Sequence, residues 1–234
     1  MSSSLPDLPV AERARTARKA PSGEERLPPG RHGLPRELVA ENQRERLLNG
    51  VVEAVAEHGY NATTIGAITE AARISRRTFY EYFKDKEGCF LAAYEMVDDH
   101  VRGAMLAAGE PTSPWPEQVR ARLAALLDVL SRDLAVARFY LTEPLAAGGE
   151  IAARYREAMQ LLAETIRPAA GPADANLEVR DQVLMGGVAT LIARRLKTGE
   201  PVHLSELLPD LTELALAPYL GRDEARRFAR ESRI

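Results

Sequence analysis

Two adjacent arginines begin a short predicted helix whose residue types suit contact with nucleic acid. An arginine guanidinium can donate two hydrogen bonds to guanine O6 and N7 in the major groove. A DNA-recognition helix reads bases with its N-terminal residues. At about 100° per residue, one face of this helix collects the polar and aromatic side chains Arg76, Arg77, Tyr80, Glu81 and Lys84. The opposite face collects Phe79, Tyr82 and Phe83, which predicts that this side packs on a core.

A preceding helix and a tight turn must position that face. Thr63 or Thr64 can cap a helix that runs to about residue 72, because a hydroxyl accepts a hydrogen bond from a free backbone N–H. Ser75 can cap the second helix in the same way, after the turn Arg73-Ile74-Ser75. Two short helices joined in this manner predict a helix-turn-helix. The simpler alternative is an ordinary solvated helix surface, since a single exposed arginine is usually only solvated and Tyr80 could pack rather than bind. The grouping on one face favours DNA contact.

The residues around this motif resemble the tetracycline-repressor (TetR) family of bacterial transcriptional regulators. The resemblance extends from Arg44 to Tyr94 and is carried by Gly59-Tyr60, by Thr63-Thr64 and by the run SRRTFYEYFKDKE over residues 75–87. Beyond residue 95 it concerns only length and helical layout. The resemblance implies DNA contacts from Thr64, Ser75, Arg76, Arg77, Thr78, Tyr80, Tyr82, Lys84 and Lys86. In particular, Arg76 and Arg77 would face the bases, and Lys86 would hold the DNA backbone.

Two residues depart from the family pattern. The turn position that is usually glycine is Arg73, which would be strained if its φ angle is positive. Gly66 replaces a longer polar side chain, so the first helix of the motif is expected to contribute fewer base contacts.

Composition agrees with a folded regulator that binds DNA through a local patch. The 234 residues are 45% hydrophobic and 28% charged, and the net charge is −3, so the chain is not a basic coat for nucleic acid. Residues 73–86 nevertheless hold five basic and two acidic side chains. The single Cys89 excludes an intramolecular disulfide and fits a reducing cytoplasm. No apolar run is long enough for a membrane span and no signal peptide is evident, so a cytoplasmic protein, at the nucleoid when bound to DNA, is expected.

The helical patterns predict an all-α protein of two domains with an N-terminal extension. Residues 1–34 are rich in proline, serine and glycine and are predicted to be disordered. Their basic cluster at residues 13–19 is read as a solvated tail, with a DNA-contacting arm as the alternative. Residues 35–85 form the three-helix DNA-binding domain. Residues 86–234 are predicted to form a second helical domain, to which the resemblance assigns effector binding and dimerisation. Its helices are expected near 86–108, 117–132, 134–146, 150–167, 177–198, 203–220 and 222–231.

The resemblance also implies a homodimer and a small-molecule effector. Residues 183–193 carry no charge, so this helix has more apolar surface than a monomer core would cover on one face. The monomer core is the alternative, and the resemblance favours a second copy as the cover for the surplus face. The predicted interface residues are Leu184, Gly187, Val188, Leu191, Leu207, Leu211 and Leu214. The predicted effector pocket, for an apolar molecule, is lined by Tyr94, Met105, Trp115, Phe139, Tyr140, Tyr155 and Met159. Ordinary core packing is the alternative for each of these.

No catalytic, metal or cofactor motif is present. The four histidines are scattered and lack neighbours at metal-ligand spacing, and neither a P-loop nor a dinucleotide-binding glycine pattern occurs. The resemblance implies a repressor released from a palindromic operator by a ligand, and the sequence offers no motif for enzyme activity. A ligand-independent or activating regulator of the same fold is the alternative, and a DNA-processing enzyme that uses the motif for targeting is a remote one.

Overall fold

The computed structural model describes residues 36–168, 177–197 and 203–231, and within these ranges the chain is α-helical without β-strands, which confirms the all-α prediction. The predicted extension at residues 1–34 lies outside the described residues. One 3₁₀ turn, Leu204–Leu207, accompanies the α-helices. In chain order the helices are α1 Arg36–His58, α2 Ile65–Ala72, α3 Arg76–Tyr82, α4 Lys86–Ala107, α5 Trp115–Arg132, α6 Leu134–Leu141, α7 Glu143–Ala147, α8 Gly149–Ile166, α9 Leu177–Lys197, α10 Leu208–Leu220 and α11 Arg222–Glu231.

Local capping chemistry explains several helix boundaries. The Asp85 carboxylate accepts the Gly88 N–H at 2.8 Å and begins α4, while Asp133 accepts two amides at the start of α6. Helix α1 ends at His58, and Gly59 follows it with a φ angle of 77°. The helix expected over residues 134–146 is two helices, α6 and α7, because Pro144 lacks the N–H that a continuous helix needs at that point.

Helix α1 connects the helix-turn-helix to the rest of the chain. It packs against α2 on one side and against α4 and α6 on the other, through the fully buried side chains Leu47, Val51 and Val55. Gly50 lets α1 and α2 approach closely, since a Cβ built there would lie only 2.8 Å from the Cβ and N atoms of Ala72. The remaining helices surround a core of aromatic and aliphatic residues, with α4 packed against α5 and α8. None of the described helices is both long and apolar enough to span a bilayer.

Candidate nucleic-acid interface

Hydrogen bonds local in sequence shape the motif formed by α2 and α3. The Thr64 hydroxyl accepts the Ala67 N–H at 3.2 Å, and the Ser75 hydroxyl accepts the Thr78 N–H at 3.1 Å, so both predicted caps are present. Arg73 ends α2 with φ 53° and ψ 45°, in the left-handed region that glycine usually occupies. The strain expected at this turn is therefore present. Ser75 and Thr78 also join their hydroxyls at 2.9 Å.

Two side chains from α1 support the motif from behind. The Arg46 guanidinium donates to the carbonyl oxygens of Ala72 and Arg73, each at 2.7 Å, at the C-terminal end of α2. A cation there offsets the partial negative charge of the last carbonyls and holds the strained turn. The Tyr82 hydroxyl, at the end of α3, donates to Gln43 Oε1 at 3.0 Å. This hydrogen bond helps to orient α3, and the predicted DNA contact of Tyr82 stays a prediction.

The outward face of α3 carries the predicted base-reading side chains. Tyr80 is 59% exposed, and Arg76, Arg77 and Lys84 are also exposed. The Arg77 guanidinium makes only a loose, solvent-exposed ion pair of 3.6 Å with Glu81, which leaves it available to a ligand. On the opposite face of α3, the Phe79 side chain is fully buried. This arrangement leaves a basic and aromatic surface on a short helix whose orientation is set by α1.

Arg76 lies against α2 rather than projecting freely. A Cβ built on Gly66 would lie 2.6 Å from Arg76 Nη2 and 3.4 Å from the Thr64 hydroxyl. Gly66 thus makes room for the Arg76 guanidinium beside the N-terminus of α2. The absence of a side chain at residue 66, expected to reduce base contacts from α2, also determines where Arg76 lies.

Lys86 is engaged inside the protein. Its ammonium donates to the carbonyl oxygens of Tyr60 and Thr63, at 2.7 and 2.9 Å, and lies 4.2 Å from the centre of the Tyr60 ring. Burial lowers the pKa of Lys86. An ammonium has three N–H donors, so at most one remains for a phosphate. The expected contact of Lys86 with the DNA backbone stays a prediction, and its first role is to fix the turn before α2.

The seven predicted effector-pocket residues mostly belong to the packed core. Tyr94, Met105, Phe139 and Tyr140 are fully buried, and Tyr155 and Met159 are nearly so. Trp115 packs edge-on against Tyr219 at 5.1 Å between ring centres, and its indole N–H donates to the Ile166 carbonyl at 3.0 Å. The Tyr94 ring contacts the rings of both Phe139 and Tyr140. Their side chains fill the space between the helices, and their contact with an effector stays a prediction.

A polar network lies within this core. The Tyr140 hydroxyl donates to Asp98 Oδ1 at 2.7 Å, and the Arg154 guanidinium lies 3.4 Å from Asp98 Oδ2. Asp98 is fully buried, and burial raises the pKa of its carboxyl although Tyr140 and Arg154 oppose the shift. The buried Tyr94 hydroxyl has no hydrogen-bond partner among the described residues. Sequence reasoning missed Asp98, whose polar type within the apolar stripe of α4 was the available signal.

Replacing Asp98 by asparagine is expected to raise the melting temperature relative to the parent, increasingly so at higher pH. Because the pKa is raised on folding, the parent loses stability as pH rises from the unfolded-state pKa through the folded-state pKa. Asparagine keeps an acceptor for Tyr140 and carries no buried charge. Thermal melts between about pH 5 and about pH 8 measure the difference. Asp99→Asn, at the exposed neighbouring position, keeps Asp98 and is the control, so its melting temperature should change with pH as that of the parent does. A D98N variant that loses stability toward alkaline pH would contradict this expectation.

An open groove of about 390 Å³ lies between α4 and α8. Three apolar and four charged residues line it: Leu91, Ala92, Glu95, Glu150, Ala153, Arg154 and Glu157. None of the seven predicted pocket residues lines it. Arg154 connects the groove to the buried network, because the same guanidinium approaches Asp98.

The structure separates the seven predicted interface residues into two groups. Val188, Leu207 and Leu211 are buried in the chain's own core and have no surface left for a partner. Leu184 and Gly187 are half-buried, whereas Leu191 and Leu214 are 37% and 40% exposed. The most exposed apolar side chains on α9 are two that were not predicted, Val179 and Val183, at 58% and 69%. Periodicity identified apolar helices but did not indicate which face meets the chain's own core.

The described residues contain no group of three or more histidine, cysteine, aspartate or glutamate side chains placed to hold a metal ion. Cys89 is fully buried, with its Sγ 3.9 Å from the Leu47 carbonyl oxygen. Burial raises the pKa of the Cys89 thiol to about 12. A thiol that stays protonated is a poor redox sensor, so Cys89 acts as a small core residue.

Comparison with known proteins gives consistent similarities. Residues 47–93 match the family model described as bacterial regulatory proteins, tetR family. The chain is 41% identical over 51 residues to the transcriptional repressor AcnR of Corynebacterium glutamicum, covering 22% of this chain and 27% of AcnR. It is 31% identical over 107 residues to the transcriptional regulator TcmR of Streptomyces glaucescens, covering 46% of this chain and 45% of TcmR.

A solved structure extends the similarity to most of the fold. A TetR-like transcriptional regulator from Rhodococcus sp. RHA1 superposes with a TM-score of 0.58, covering 80% of this chain and 99% of that protein at 22% sequence identity. At that identity the likeness concerns the fold alone. The chain spans less than half the length of the curated relatives it matches.

Proposed function

We infer that this chain belongs, through residues 47–93, to the tetR family of bacterial regulatory proteins. From this premise we propose that it represses transcription by binding a partly palindromic DNA operator. In this proposal α3 enters the major groove, where Arg76, Arg77 and Tyr80 meet base edges. Thr64, Ser75, Thr78 and Lys84 lie toward the phosphates. The site of action is the bacterial nucleoid.

The observation that carries this proposal is the exposed face of α3. Arg77 and Tyr80 face solvent, while the buried side of the same helix is fixed by Phe79 and by the Tyr82–Gln43 hydrogen bond. A rigid helix with unoccupied donors on its outer face suits direct reading of bases, because little side-chain packing must be broken on binding.

Selection of duplexes from a random pool tests DNA binding directly. The expected product is an enriched sequence with two inverted half-sites, because a two-fold symmetric dimer presents two copies of α3. Its affinity should fall steeply as salt rises, since released counterions drive binding to phosphates. A pool that shows no enrichment at low and moderate salt would exclude sequence-specific binding.

A small molecule is proposed to control the affinity for DNA. The groove between α4 and α8 supports this part of the proposal, because Arg154, which lines it, also contacts the buried Asp98 carboxylate. Helix α4 begins beside the DNA head and continues into that core, so a change in its tilt would move α3. The effector is proposed to be largely apolar with one polar group, matching the apolar side chains Leu91 and Ala92 and the charged side chain Arg154 that line the groove. Compounds that bind stoichiometrically should weaken operator affinity about 5- to 150-fold. Tight binders that leave DNA affinity unchanged would favour a ligand-independent regulator.

A homodimer that pairs the exposed face of α9 with a second copy is also proposed. Val179, Val183 and Leu191 on α9 form this face together with Leu214 on α10, and together they would be unusual on a surface left open to water. Val183→Asp is expected to weaken self-association more than ~10-fold, because a carboxylate would be buried without a partner. Sedimentation at micromolar concentration measures this effect.

The control for the dimer prediction is Leu106→Asp. Leu106 is 56% exposed near the C-terminal end of α4, on a helix outside the proposed interface. The parent and L106D should both sediment as dimers, and V183D as a monomer. A parent that sediments as a monomer at these concentrations would rule out the dimer.

A further inference from the structure

We propose that Glu143 is a positioning residue for DNA binding, whose carboxylate holds the Gly59–Thr63 turn that begins the helix-turn-helix. Glu143 lies 83 residues away from this turn along the chain, in the C-terminal domain. The inference rests on the proposed DNA-binding function and goes beyond it, since it identifies a residue outside the motif that sets the motif's geometry.

The contact from α7 to the turn is direct. Glu143 is the first residue of α7, and its Oε2 accepts the Tyr60 backbone N–H at 2.8 Å. A Cβ built on Gly59 would lie 3.5 Å from the same oxygen, an ordinary van der Waals distance, so the carboxylate also lies close to Gly59, whose φ angle is positive. The Asn61 amide adds a second contact by donating to the Ala146 carbonyl at 3.3 Å. Both contacts join the same turn to the same short helix.

The opposite side of the turn is held by Lys86. Its ammonium donates hydrogen bonds to the carbonyl oxygens of Tyr60 and Thr63. The N–H of the same Tyr60 is bonded to Glu143. Tyr60 is therefore fixed at both of its backbone polar groups, one by the C-terminal domain and one by the start of α4. The Thr63 hydroxyl closes the turn by donating to the Gly59 carbonyl at 2.8 Å.

A movement of this turn would shift the next residue, Thr64, which is proposed to contact DNA. Thr64, which directly follows the turn, is the N-cap of α2 and lies beside the guanidinium of Arg76 at Gly66. A charge-assisted hydrogen bond that holds the turn therefore also holds the N-terminus of α2 and the direction of Arg76. Without Glu143, the turn would keep its hydrogen bonds from Lys86, but the Tyr60 N–H would lose its acceptor.

Helix α7 is well placed to transmit a change from the core. It follows α6, which carries Phe139 and Tyr140, and it packs against α8, which carries Arg154. Tyr140 and Arg154 meet at Asp98, so a rearrangement of that network would act on both neighbours of α7. Glu143 thus connects the buried polar network to the DNA head by hydrogen-bonded and packed contacts.

Three variants of the full-length chain test the role of Glu143. Glu143→Ala removes the acceptor, and Glu143→Gln keeps an amide oxygen that can accept the same N–H. Asp128→Ala, which removes an exposed carboxylate paired with Arg132 on α5, is the matched control. For each variant we measure affinity for the selected operator across a range of salt, the melting temperature, and hydrogen exchange of the Tyr60 amide.

The expected result is a loss of operator affinity in E143A of roughly tenfold, which is the scale of one charge-assisted hydrogen bond. Exchange of the Tyr60 amide should accelerate in E143A and recover in E143Q together with the affinity. D128A should match the parent in both measurements. If E143A is unfolded at the assay temperature, Glu143→Asp takes its place, because it keeps the charge but lacks the reach to Tyr60.

Three other results have distinct meanings. Parental operator affinity in E143A, with faster Tyr60 exchange, would overturn the role of Glu143 while leaving DNA binding intact. A parent chain that enriches no duplex would overturn the proposed function itself, and with it the basis of this inference. An affinity loss in E143A that E143Q does not share, without change in Tyr60 exchange, would also overturn it.

Discussion

Replacing Arg76 or Arg77 by alanine is expected to weaken binding to the selected operator by about 1–3 kcal/mol, which is roughly 5- to 150-fold. Each guanidinium can donate two hydrogen bonds to one guanine, and both are exposed on the outward face of α3. The loss should be specific to the bases read by each arginine, so R76A and R77A should relax different positions of the operator. Binding to single-substitution operator variants measures this.

Lys84→Ala is the control for a contact that does not read sequence. Lys84 is exposed beyond the end of α3. Its loss should weaken all duplexes to a similar extent and reduce the salt dependence by about one released ion. Lys86→Ala would be ambiguous here, because it also removes two hydrogen bonds within the protein. Parental affinity in both arginine variants would exclude α3 as the base-reading helix.

Gly50→Ala is expected to destabilise the DNA-binding domain by about 1–3 kcal/mol through overpacking. The added Cβ would lie 2.8 Å from the Ile68 carbonyl oxygen and from the Ala72 N and Cβ atoms, so α1 and α2 would have to separate. Because most of these neighbours are backbone or Cβ atoms, no flexible side chain can yield instead. Operator affinity should fall with stability, since α2 fixes the base of α3. Chemical unfolding and operator titration measure the two effects.

Gly103→Ala is the matched control and should have the opposite sign. Gly103 lies inside α4 with nothing within 4 Å of its built Cβ. Alanine in an exposed helix interior gains about 0.5–1 kcal/mol over glycine. The same substitution is thus expected to destabilise at residue 50 and stabilise at residue 103. Equal effects at the two positions would show that α1 and α2 tolerate a wider separation.

The helix-turn-helix could be predicted from sequence because its signals are local. Thr64 and Ser75 cap helices through bonds to residues three positions away, and the outward face of α3 follows from helical periodicity. The strained turn at Arg73 was also evident, since a side chain occupies a position where the family has glycine. In each case the information lies within one or two helical turns.

The remaining details depend on contacts between distant parts of the chain. Lys86 binds carbonyls 23 and 26 residues away, and Glu143 binds an amide 83 residues away. Backbone acceptors and donors leave no trace in the residue type of the partner. For the same reason, apolar periodicity marked Leu211 as buried but could not assign the burial to its own core rather than to a second copy.

Two side chains of α1 that hold the helix-turn-helix affect whether this motif could be transferred to another protein. The family similarity begins at residue 47, yet Gln43 and Arg46, which hold the ends of α3 and α2, lie just upstream. A head excised at the similarity boundary would keep every base-facing side chain and lose both of these supports. Transplanting the specificity of this protein onto another regulator therefore requires the first two turns before Leu47, together with an acceptor that replaces Glu143.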